Sequence, residues 1–161
     1  MFMRAARAIA FWLTIALVVP AAGAPPQRTI SIIVSSRNPV HRLSTADLRR
    51  IFLGQITRWP NGHPIVIFLW PPASPDGRLF LDRVVHLSEI DYSQWWIGAV
   101  FRGEAAAVPR ILSDQKTMLQ RVAGDADAIG FLPSALWHDD SVAVLAIDGK
   151  RPSDSGYPLA H

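Results

Sequence analysis

Residues 43–62, Leu43 to Gly62, read LSTADLRRIFLGQITRWPNG, and they spell out a helix with both ends marked. Ser44 is placed to cap the first turn. Asp47, three residues on, is placed to answer Ser44's own N–H in a capping box. Leu43 before the cap and Leu48 within the helix have the spacing of a hydrophobic staple. Leu48, Ile51 and Phe52 share one face at helical spacing, and Gly54 supplies the left-handed stop. Trp59-Pro60-Asn61-Gly62 then reads as a turn, because Pro fixes φ and Asn-Gly tolerates positive φ.

On either side lie continuous apolar runs, Ile30 to Val34 (ISIIV) and Ile65 to Trp70 (IVIFLW), the latter bounded by Pro64 and Pro71. Both read as strands buried on two faces. The order strand, helix, strand predicts a parallel crossover and an α/β fold. A second helix is predicted over Ser74–Leu87, with Ser74 as cap, Pro75 at the first helical position and Phe80, Val84 and Leu87 inward. A third spans about Tyr92 to Arg102, with Tyr92, Trp95, Trp96, Ala99 and Val100 inward and Gly103 as its stop. A fourth is capped by Ser113, buries Met118, Leu119 and Val122, and ends at Gly124. Ala128–Leu132 and Val142–Ile147 read as short closing strands, Asp148-Gly149 as a turn, and the tail from Lys150 as surface.

A chain of 161 residues, 50% hydrophobic with six Trp and seven Phe, predicts one domain with a substantial core. Arg4 and Arg7 precede an uncharged apolar run, Ala8 to Val19, and Ala21, Gly23 and Ala24 offer small residues for cleavage. This predicts a secretory signal at residues 1–24 and a mature domain at 25–161. The run falls short of the roughly 20 residues that a membrane span needs. An uncleaved anchor extended through Ala24 is the alternative. Without Arg4 and Arg7 the 16 basic residues become 14 against 13 acidic ones, so the formal charge falls from +3 to +1. No basic stripe remains, and nucleic acid is not an expected partner. Cysteine is absent, which excludes a disulfide framework and a lipid-anchored mature N-terminus. The expected location is the periplasm.

Enzyme signatures are missing: there is no H-E-x-x-H, G-x-S-x-G, P-loop or strand-to-helix G-x-G-x-x-G. The five histidines (His41, His63, His86, His138 and His161) share no metal-ligand spacing. His138-Asp139-Asp140 reads as a loop, and Trp95-Trp96 as core rather than as a stacking platform. Nothing here argues for catalysis, a metal or a cofactor. The better site candidate is Pro71 to Arg78 (PPASPDGR), between the end of a buried strand and the start of a helix, where open α/β sheets bind ligands. Helix N–H groups, the Ser74 hydroxyl, a close approach at Gly77 and the Arg78 guanidinium all suit an oxyanion. A purely structural reading fits equally well: Ser74 caps the helix and Arg78 pairs with Asp82 at i,i+4.

LSTADLRRIFLGQITRWPNG closely resembles the "L…DL..IFLG.I..W" segment of phosphate-binding periplasmic proteins, the solute receptors of phosphate ABC importers. Asp127-Ala128-Ile129-Gly130-Phe131 is similar to the family's "GAIGY" strand, and Asp148-Gly149-Lys150 through Tyr157-Pro158-Leu159 to its "DG…YPL" ending. The resemblance runs from about Ile30 to Leu159 and points to a short single-domain branch. It implies a reduced periplasmic binding protein-like (type II) domain, with a small mostly parallel or mixed sheet flanked by helices. It further implies binding of phosphate or a related oxyanion for ABC-type import or sensing, without chemistry. The family's Ser-Gly-Thr anion loop matches Ser74, but Pro75-Asp76 replaces Gly-Thr. The family's upstream anion ligands have no counterpart, and Ser35, Ser36 and Asn38, which follow the first strand, are candidates to replace them if they face the same edge. The expected ligand set is therefore Ser74, Gly77, Arg78, Ser35, Ser36 and Asn38, with an ABC importer or a membrane sensor as partner. The competing reading is an interaction or sensor module that keeps this fold and has lost the anion. The truncated cleft and Asp76 favour it.

Overall fold

A computed structural model describes residues 28–105, 107–136 and 140–161. The expected signal segment, and the His138-Asp139 part of the acidic loop, lie outside the described residues. Among the described residues no helix is long and apolar enough to cross a membrane.

The strands are β1 (Ile30–Ser35), β2 (Arg42–Leu43), β3 (Val66–Leu69), β4 (Arg110–Ile111), β5 (Ala128–Pro133), β6 (Val142–Val144) and β7 (Ala146–Ile147). Five form one mixed sheet in the order β4-β3-β5-β1-β6, and β2 pairs with β7 in a small parallel ribbon. The α-helices among the described residues are α1 (Thr45–Phe52), α2 (Pro75–Phe80, continued by a π-helical stretch at Leu81–Val85), α3 (Glu89–Phe101) and α4 (Gln115–Gly124). The α/β expectation holds.

The apolar runs become central strands because both of their faces are covered. From β1, Ile30, Ile32 and Val34 enter one core with Leu48, Ile51 and Phe52 of α1, Leu79 and Phe80 of α2, and Tyr92 and Trp96 of α3. Ile33 points the other way, into a second core with Met118, Leu119 and Val122 of α4. The period of two thus divides a continuous apolar run between two helical layers. In the larger core Phe80 stacks on Phe131 at 4.0 Å, and Phe52 meets Phe80 edge-on at 4.7 Å.

The capped helix forms as its sequence demands. The Ser44 hydroxyl accepts from the Asp47 N–H at 3.0 Å, and Gly54 takes φ +69°. Asp47 answers through its carboxylate, which accepts from the Ser44 hydroxyl at 2.9 Å rather than from its N–H. Gly54 has a second constraint, since a Cβ there would stand 2.8 Å from the Trp96 ring. From the far end of the chain, Asp148 accepts from the Thr45 N–H and hydroxyl, placing a carboxylate at the positive end of α1. In the following turn the Gly62 N–H donates to the Trp59 carbonyl at 2.8 Å, and the Trp59 indole donates to the Asp127 carbonyl at 2.9 Å.

Five expectations are corrected. The strands β1 and β3 are not a parallel crossover pair: β5 lies between them, antiparallel to β1 and parallel to β3. The Val142–Ile147 run is two strands in different sheets, broken at the fully buried Leu145. Helix α4 is capped by Asp114, which accepts from the Thr117 N–H at 2.7 Å, not by Ser113. Helix α3 begins earlier, capped by Ser88, and leaves Val100 exposed. The tail is only partly surface, for Tyr157 and Leu159 enter the larger core and the Ile30 N–H donates to the Leu159 carbonyl at 3.1 Å. Buried at one turn of α3, the Tyr92 hydroxyl has its pKa pushed well above the ordinary phenol range by desolvation. It stays protonated and donates to the Phe52 carbonyl at 2.8 Å, tying α3 to the end of α1.

Candidate functional site

Since β3 and β5 are parallel and β1 is antiparallel to both, the ends of β3 and β5 share a sheet edge with the start of β1. The Pro71–Arg78 loop follows β3 at that edge. Within it nearly every polar group is spoken for. The Ser74 hydroxyl accepts from the Gly77 N–H at 3.0 Å and donates to the Pro71 carbonyl at 2.7 Å. Gly77 is buried, and a Cβ on it would stand 2.0 Å from the Pro71 carbonyl oxygen. Its missing side chain serves loop closure. Arg78 is exposed and donates to the Ala73 carbonyl, so the Arg78–Asp82 pair of the structural reading does not form. The nearest cation to Asp82 is Arg83, at 3.8 Å.

The same antiparallel geometry sends the end of β1 to the opposite edge of the sheet. Ser35, Ser36 and Asn38 therefore do not share an edge with Ser74. Ser35 is fully buried, and its hydroxyl donates to the Ala123 carbonyl at 3.3 Å. The Asn38 amide is also buried, donating to the Ala126 carbonyl at 2.9 Å and accepting from the Val40 N–H at 2.9 Å. Both fix the loop after β1 to the end of α4. Only Ser36 of the three is exposed.

A groove running past β6 connects the two edges. Ser36 and His41 line it, as do Arg28, Ser31, Ser134 and Arg151, and so does Asp76 of the first turn of α2. At the β3 edge the Ser31 and Ser134 hydroxyls stand 2.8 Å apart, and Arg28 lies 3.7 Å from Asp76. The Arg28 side chain is 53% exposed against 17% for Asp76, so the cation faces the groove while the carboxylate is partly covered. Arginine forks and hydroxyls suit a tetrahedral oxyanion, and Asp76 and Asp140, which also line the groove, set counter-charges against it. Sequence reasoning missed Arg28, Ser31, Ser134 and Arg151. Their signal was faint, because Arg28 precedes the first strand and Arg151 lies in the Pro- and Ser-rich tail. Among the described residues no group of three His, Asp or Glu is placed to hold a metal.

No protein-family model matches the chain, and no curated protein does. Solved structures do. An ABC-type phosphate transport receptor from Vibrio cholerae superposes with a TM-score of 0.66 at 20% identity, covering 83% of this chain and 54% of that one. A protein from Clostridium perfringens, assigned as a phosphate ABC transporter substrate-binding protein and solved with bound phosphate, gives 0.62 at 23%, covering 78% and 47%. PstS from Borrelia burgdorferi gives 0.62 at 11%, covering 84% and 55%. The suspected resemblance thus holds at the level of the fold, and the chain spans about half the length of the structures it matches. The chain shares the fold of the part of these phosphate receptors that it covers.

Proposed function

We propose that this chain is a periplasmic solute-binding domain that holds phosphate or a related oxyanion, without chemistry, for an ABC importer or a membrane sensor. The likeness to phosphate-receptor structures carries the reading. In this proposal residues 1–24 are the cleaved signal. Of the expected ligands, Ser36 offers an exposed donor in the groove, Arg78 is exposed at the other sheet edge and donates to the Ala73 carbonyl, and Ser74, Gly77, Ser35 and Asn38 hold their own loops. Arg28 and Arg151 line the groove together with Ser36.

A thermal-shift titration with phosphate, then sulfate, phosphonates and small carboxylates, tests this. An anion at 100 times its Kd should add about 2.7 kcal/mol of stability. Replacing Arg28 and Arg151 together by Ala should weaken that anion at least about tenfold, from the loss of charged hydrogen bonds. N-terminal sequencing of the protein from a periplasmic fraction tests the signal. The second reading, an interaction or sensor module without ligand, is favoured by Asp76 at the start of α2 and by the internally satisfied Ser74. The absence of any anion-dependent shift in folded protein selects it.

A further inference from the structure

The groove beside β6 holds unused chemistry of a second kind, on the backbone. Strand β6 is an edge of the five-stranded sheet, with β1 as its neighbour. The Ser36 N–H donates to the Ser141 carbonyl at 3.1 Å, and the Leu145 N–H donates to the Ile32 carbonyl at 2.9 Å. In the same register Ala143 faces Val34, so these are the hydrogen-bonded pairs of the ladder. Val142 and Val144, opposite Ser35 and Ile33, fall between them and turn their N–H and C=O groups outward. Among the described residues no partner meets those four groups. Val142 is 3% exposed, so its two groups have little water to turn to, and covered backbone groups left unpaired are costly.

Val142, Ala143 and Val144 all line the groove, together with segments 133–135 and 151–153. The groove measures about 1340 Å³, above the roughly 300–1,000 Å³ of ordinary small-molecule sites, so a lone inorganic anion fills only one part of it. Its two ends differ in charge. Asp140 lines it next to Ser141, at the Ser36 end, and Arg28 lines it at the other, with Ser31 and Ser134. At 3.7 Å, Asp76 offsets the Arg28 charge without taking its hydrogen bonds.

We infer that the groove takes a short extended peptide as a sixth strand, parallel to β6, with its ammonium end at Asp140 and its C-terminal carboxylate on Arg28. The inference rests on the solute-binding reading and narrows it: the oxyanion is the carboxylate of a peptide solute. A parallel strand presents N–H and C=O groups at the spacing of the four on Val142 and Val144. Ser31 and Ser36 are five residues apart, about 17 Å along a strand, so about six residues reach from one charge to the other. A second copy of the chain is a poorer occupant, because its own β6 is recessed in an identical groove.

Gel filtration of the purified protein with a pool of random hexapeptides, read by mass spectrometry, tests this, followed by titration of a retained hexapeptide. Saturable binding is expected. Amidating the peptide's C-terminus should weaken binding about tenfold or more, from the loss of charged hydrogen bonds, and Arg28→Ala should remove most of that difference. Methylating alternate amide nitrogens of the peptide should weaken binding about fivefold or more in one of the two phases, with the protein untouched. Val144→Pro removes an outward N–H and no ladder bond, and should do the same. Phosphate binding with no hexapeptide retained overturns the inference and leaves the oxyanion reading standing. No response to phosphate, related anions or peptides overturns both. Peptide binding that is indifferent to amidation, or to methylation in both phases, also overturns the inference.

Discussion

The Pro71–Arg78 loop and the groove beside β6 are both rich in polar groups, yet their hydrogen-bonding capacity is spent differently. In the loop, Ser74 closes on Pro71 and Gly77, and Arg78 turns back to Ala73. In the groove, Arg28 is half exposed and Ser36 is open. A residue type suited to an anion says little until its donors have been counted against the partners it already has. The loop uses its oxyanion chemistry to hold itself, whereas the groove spends Ser31 and Ser134 on each other but leaves Ser36 open and Arg28 half exposed beside Asp76.

The largest effect that sharpens this contrast is on the loop's anchor. Phe80 is fully buried, stacked on Phe131 and edge-on to Phe52. Phe80→Ala should cost about 4 kcal/mol, measured by urea denaturation, because the aromatic cluster loses its middle ring. A cost below about 1 kcal/mol would mean that α2 is not a fixed wall of the site. Next comes Gly77→Ala. Its Cβ would be driven into the Pro71 carbonyl and come within 2.7 Å of the Pro72 Cα, both backbone groups that move only with the loop. A loss of about 2 to 3 kcal/mol is expected. A neutral Gly77→Ala would show that the loop is looser than described and able to open around a ligand.

These same residues show what was legible in the sequence. Helix α1 could be read almost completely because its cap, staple and stop are encoded within a dozen positions. The β1 and β3 runs announced themselves as buried strands and the β5 run as a short closing strand. Pairing did not, because the partner that separates β1 from β3 arrives from Ala128–Pro133, about sixty residues beyond β3, and no local pattern carries its direction. That one reversal also moved Ser35, Ser36 and Asn38 to the far edge. The Ser74 cap was readable, but its second bond to Pro71 and the wall behind Gly77 are tertiary facts. Arg28 and Arg151 were hidden for the converse reason: arginines in the segments before the first strand and after the last have no periodicity to betray them.

Ser74→Ala is the smallest perturbation and the one that separates the two regions most cleanly. As an N-cap it should cost about 1 kcal/mol, comparable to Ser44→Ala at α1, where the hydroxyl makes the equivalent bond to the third residue on. If the hydroxyl acts only within the loop, the anion-dependent rise in melting temperature should survive Ser74→Ala undiminished and disappear in the double variant Arg28→Ala/Arg151→Ala. The opposite pattern, anion binding lost with Ser74 and retained without the two arginines, would mean that the cap bond exchanges for a ligand bond. The loop's self-satisfied geometry would then be the resting state of the site rather than an argument against it.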